Sequence, residues 1–189
     1  MKRLNLLVVM LICSIAMTRA TVLGEIGQPF DPTTMANGES KQCLAYFAGC
    51  APGKTALGYV HGGDNNIGTP QVGQNITDYV YTITRSADGT YYEVKDVNGS
   101  YWAVFPNTAT GNYSNGTPTS STSYKGDLTL TPATSYDNAL LTGSATYVYN
   151  ISSKTNTTGF IYHDGTRMRA NTDSDKATAP AAIQFVEFS

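Results

Sequence analysis

The sequence is short of charge. Only 14% of its 189 residues are Asp, Glu, Lys or Arg, against roughly 25% in an ordinary soluble domain. It has two histidines and one tryptophan. A basic surface is missing too: 12 basic residues stand against 14 acidic ones, and pI is about 5.6. That balance excludes a nucleic-acid binder, which would carry a basic patch. Disorder is excluded by the opposite count, because aromatics make up 11% of the chain and 13 of them are Tyr. Helical periodicity with caps is absent after residue 20, so helices are expected to be rare. Gly-x-Ser-x-Gly, His-Glu-x-x-His and a phosphate-binding glycine loop are all missing. We therefore expect a protein that is not an enzyme and needs no cofactor or metal.

The one apolar run is at the start. Met1-Lys2-Arg3 precedes apolar residues 6–16, and Thr18-Arg19-Ala20 offers a small-x-small cleavage site. This is the pattern of a secretory signal at 1–20. A retained signal anchor is the alternative, but Arg19 ends the run early and a span takes ~20 residues. No later segment is apolar enough to span, so no membrane span is expected in the mature chain. Removing Lys2, Arg3 and Arg19 from the 12 basic residues leaves 9 against 14 acidic ones, a net charge of −5. The expected location is secreted, in the extracellular space.

Cys13 falls in the signal, which leaves Cys43 and Cys50. In an oxidising compartment so close a pair reads as one local disulfide stapling a hairpin. The expected organisation is a signal, an N-terminal arm at 21–55 holding that hairpin, and one all-β domain at 56–189. Six sequons fit a secreted glycoprotein: Asn75, Asn98, Asn112, Asn115, Asn150 and Asn156 each precede x-Ser/Thr without Pro.

From residue 56 onward, short strands alternate with turn clusters. Strands are expected at 78–83, 91–96, 101–105, 127–131, 145–151, 160–163, 167–170 and 183–188. Asp88-Gly89, Asn98-Gly99 and Asp164-Gly165 mark hairpin turns. Regular spacing of this kind indicates a sandwich or barrel. Tyr79-Val-Tyr-Thr-Ile83 and Tyr147-Val-Tyr-Asn-Ile151 agree at four of five positions. Around them three units can be laid out, at 56–87, 90–154 and 159–189, each a strand, a glycine turn and a strand leading to an aromatic strand.

That threefold layout resembles the β-trefoil of the ricin-B-like lectins and fascin-like domains, over residues 56–189. Ile183-Gln-Phe-Val-Glu-Phe188 is the closest match to the aromatic strand that closes a trefoil unit. The Gln-x-Trp signature of ricin-type lectins is absent. The first unit reaches the length of a trefoil lobe only if the cysteine region contributes a strand. The resemblance implies a trefoil-like barrel of three hairpin units; an antiparallel β-sandwich is the alternative.

Candidate ligand residues cluster at the turns. Asp64, Asp96 and Asp164 sit in the hairpin turns of the three units. His61 and His163 precede the glycine turns of two of them. A carboxylate accepts hydrogen bonds from sugar hydroxyls while a ring covers the apolar sugar face. Tyr101 and Trp102 follow the Asn98-Gly99 turn as the ring candidates. Neighbours on a strand point to opposite faces, so one belongs to the core and one points outward. A glycan on Asn98 would crowd that turn. With no catalytic motif, the expectation is a carbohydrate-binding module whose partner is a glycan or an extracellular protein. The alternatives are a structural surface, wall or matrix protein, and a protease inhibitor or effector working through the loop at 107–126.

Overall fold

Strand alternation sets the inner face. A computed structural model describes residues 26–49, 58–62, 67–68, 76–104, 127–134, 136, 147–155, 159–163, 168–171 and 180–189, to which every structural statement here refers. Eleven strands are assigned among them: β1 (Ile26–Phe30), β2 (Ser40–Gly49), β3 (Gly58–Val60), β4 (Ile67–Gly68), β5 (Val80–Arg85), β6 (Tyr92–Asp96), β7 (Leu128–Pro132), β8 (Tyr149–Ser153), β9 (Phe160–His163), β10 (Met168–Asn171) and β11 (Ala182–Phe188). In β6 and β8 every second residue is buried, so Tyr92, Val94 and Asp96, and Tyr149, Ile151 and Ser153, share an inner face.

Six strands close into an antiparallel barrel in the order β2, β5, β6, β7, β8, β11, with β11 returning to β2. Closure sets aside the sandwich. The last seam is thin, because β8 meets β11 through one pair, Tyr149 with Ile183. β1 continues that edge, pairing Phe30 with Phe185 and Ile26 with Phe188. The β3–β4 hairpin lies between β2 and β5 in sequence, and β9–β10 lies between β8 and β11. Between β6 and β7, residues 105–126 lie outside the described set, and with them the loop at 107–126.

The barrel interior is filled by Cys43, Ala45, Phe47, Tyr81, Ile83, Val94, Trp102, Leu128, Ile151, Ile183 and Phe185, among others. A second cluster covers the outside of the wall: Leu44 and Val186 lie under Tyr59, Ile76 and Tyr79. β2 is thus buried on both faces, which explains its unbroken apolar run.

This placement corrects the expected arm. Within the expected arm at 21–55, β2 is a wall strand of the barrel and β1 pairs beside β11. The cysteine region contributes β2 to the barrel wall. The local disulfide is corrected as well. Cys43 is a free thiol with no exposed surface. Six residues of continuous strand carry the chain roughly 20 Å from Cys43 to Gly49. Cys50 lies outside the described residues.

The proposed repeat is also out of phase. β5 follows the β3–β4 hairpin, whereas β8 precedes the β9–β10 hairpin. Residues 79–83 and 147–151 therefore occupy different places in the barrel order. Their likeness reflects one demand, that a half-buried strand selects Tyr, Val and Ile. Tyr79 is buried while Tyr147 is 43% exposed.

Among the described residues no helix is long and apolar enough to cross a membrane. Residues 1–20 lie outside them.

Candidate functional site

The turn after β6 is built by Asp96. Its Oδ1 accepts from the amides of Asn98 (2.9 Å) and Ser100 (2.8 Å). The Asp96 amide donates to Ser100 O, and the Gly99 amide to Asp96 O. Gly99 sits at φ +85°, where a side chain is strained. An Asp that bonds its own turn favours this geometry over a longer strand. Asp96 itself is only 3% exposed, and its Oδ2 is buried with no hydrogen-bond partner. This candidate carboxylate therefore holds a turn rather than facing an incoming sugar.

The first hairpin abuts the same turn. Gly62 donates to Asp78 O at 2.6 Å. A Cβ added at Gly62 would stand 3.0 Å from that oxygen and 3.4 Å from Asp96 Cβ. Only a glycine lets the two backbones come so close. Beside it the His61 imidazole lies 3.9 Å from the Asp78 carboxylate, Nε2 to Oδ2, with side-chain exposures of 31% and 49%. The His61 ring stands edge-on to Tyr79 at 5.0 Å between centroids. Asp78 carries no ligand signal in the sequence, because it precedes β5 without a glycine turn beside it.

The two ring candidates separate, but the strand expected at 101–105 does not form: Tyr101 makes an isolated bridge with Lys95, and Trp102, Ala103 and Val104 are buried in succession. Trp102 is completely buried, packed edge-on against Tyr81 at 5.2 Å and tilted against Phe185. It has no surface to offer a ligand, which corrects its assignment. Tyr101 is half-buried, with Lys95 Nζ 5.8 Å from its ring centroid. Lys41 and Lys154, the other two described lysines, stand over Phe30 and Tyr91 in the same way. Each places its charge on a ring face and its stem along apolar surface.

The side chains of the remaining candidates lie outside the described set. Asp64 and Asp164 lie outside the described residues, and of His163 only the backbone, in β9, is described. Among the sequons, Asn98 is exposed and Asn150 lies in β8; Asn75, Asn112, Asn115 and Asn156 lie outside the described residues. An open depression of about 240 Å³ is lined by Lys41, Gln42, Glu187, Phe188 and Ser189, none of them a candidate.

The fold and this junction define the class: an all-β protein built on a closed six-stranded antiparallel barrel. No family model, no curated protein and no solved structure matches this chain.

Proposed function

We propose that the chain is a secreted, non-enzymatic binding module of β-trefoil type that recognises carbohydrate. The strand order supports the trefoil reading. β2 and β5 bracket the β3–β4 hairpin, β8 and β11 bracket β9–β10, and β6 and β7 bracket residues 97–127. Barrel strand, insertion and barrel strand thus recur three times around one barrel. The units run from β2 to β5, β6 to β7 and β8 to β11, shifted from the sequence-based boundaries.

One observation carries the ligand reading. His61 and Asp78 stand side by side, part-exposed, where the first hairpin meets the Asp96 turn. A ring N–H donor beside a carboxylate acceptor suits neighbouring sugar hydroxyls, which both donate and accept. Tyr101 is the remaining ring near that turn. The low charge of the chain favours neutral ligands over ionic ones.

A glycan array probed with the purified chain tests this. Binding is expected, with loss in the His61→Ala/Asp78→Ala double variant; Tyr101→Ala is scored separately. Binding that survives in both variants rejects the site. An array with no signal rejects the carbohydrate reading, and self-association in solution then turns the case toward a structural surface protein.

A further inference from the structure

We infer that Asn98 carries an N-linked glycan and that the fold bars one from Asn150. The inference rests on the secretion part of the reading above. Two of the six sequons lie among the described residues, and their surroundings are opposite.

Asn98 is at the tip of the turn after β6. Val97, Asn98 and Gly99 are three exposed residues in a row, with Val97 at 53%. A carbon added at Gly99 would meet nothing within 4 Å, so space around the tip is open. The backbone here is fixed from below, by Asp96 Oδ1 on the amides of Asn98 and Ser100. A large group on the Asn98 side chain therefore leaves the turn's own hydrogen bonds untouched.

Asn150 lies in β8 of the wall and is part-buried. Its backbone pairs with Thr131 of β7. Its Nδ2 donates 3.0 Å to the carbonyl of Ala181, a residue with no exposed surface. The next residue along, Tyr149, makes the only β8–β11 pair, with Ile183. A sugar on Asn150 Nδ2 would push the 181–183 segment off β8 at a seam held by a single pair. The chemistry is a group transfer. A bond forms between Asn98 Nδ2 and the anomeric carbon of an oligosaccharide. That carbon's bond to the pyrophosphate of a lipid-linked donor breaks, and one Nδ2 proton is released.

The test is intact mass of the full chain, secreted from a eukaryotic host, before and after peptide N-glycosidase. Asn98→Gln is expected to remove one glycan. Ser152→Ala, which destroys the second sequon without touching Asn150, is expected to remove none. Secreted, glycosylated protein whose mass does not change in Asn98→Gln overturns the inference, as does loss of a glycan in Ser152→Ala. Chain found only in the cytosol and free of glycan overturns the secretion reading itself.

Discussion

The Tyr149 hydroxyl donates to Asp31 Oδ1 over 2.5 Å, joining residues 118 apart in sequence. The bond lies where β11 passes from one neighbour to the other: Phe185 pairs with Phe30 of β1, and Ile183 pairs with Tyr149 of β8. Asp31 leaves β1 at that point. It caps the short 3-10 turn Pro32–Thr34, accepting from Thr33 N (2.8 Å) and Thr33 Oγ1 (2.6 Å). From the other side Arg85 Nη1 donates to the carbonyls of Thr33 and Met35. One carboxylate thus ties the N-terminal strand, its turn and the thin seam together.

Tyr149→Phe removes the only one of these bonds that crosses the seam. A hydrogen bond to a charged group contributes about 1.5–3 kcal/mol. Urea unfolding is expected to show a loss of that order. In a double-mutant cycle with Asp31→Asn the two losses should be less than additive. Additive losses would mean the two side chains act separately.

The same pair sets a pH window. Burial raises the Asp31 carboxyl, but the bonds from Thr33 and Tyr149 outweigh it and hold the group below its ordinary 3.8. The stability this adds is complete above about pH 3.8 and is lost as pH falls through the lower folded value. Tyr149 moves the other way. Burial and the bond to Asp31 push its hydroxyl above the usual 10, so its contribution is complete below pH 10 and fades above it. Melting temperature against pH should fall at both ends. Asp31→Asn flattens the acid arm and Tyr149→Phe the alkaline one.

Cys43 should be inert in the folded protein. Burial pushes its thiol up to about 12, so thiolate is scarce at neutral pH. In a Cys13→Ser/Cys50→Ser background, maleimide labelling is expected only after denaturation. Rapid native labelling would place Cys43 at the surface. Peptide mapping of the wild-type chain without reductant should find no Cys43–Cys50 bridge.

Gly62→Ala tests the junction of hairpin and turn. The new Cβ meets Asp78 O at 3.0 Å, and that atom is backbone. Overpacking of this kind costs about 1–3 kcal/mol. We expect reduced stability together with weaker binding at His61 and Asp78. A Gly62→Ala variant as stable as wild type would show that the two backbones are not held in close contact.

Much of the wall was legible. Residues 160–163 and 183–188 coincide within a residue with β9 and β11, and 91–96 and 127–131 with β6 and β7. In β6 one buried face imposes a period of two, whereas β11, buried from Ala182 to Val186, is marked by its β-branched and aromatic residues. β2 was missed for a physical reason. Buried on both faces, it shows no alternation, and the close pair Cys43 and Cys50 resembles a stapled loop. Of the candidate site, one ring does lie inside and one at the surface, but not through strand parity, because residues 102–104 form no strand and are all buried. That Trp102 was the inner one depended on Tyr81 and Phe185, which lie on other strands.

Composition, the apolar start and local alternation were enough to determine an all-β chain and to place most of its strands, because those signals act between residues a few positions apart. They could not decide which strands are neighbours. Closure of the barrel, the partner of Tyr149, and the contact of Gly62 with Asp96 all join distant parts of the chain. Such contacts depend on register and shape across the whole wall, so only the tertiary structure reveals them. A low count of charges thus says where few ion pairs will be found, while the fold decides that one carboxylate, Asp31, closes the seam.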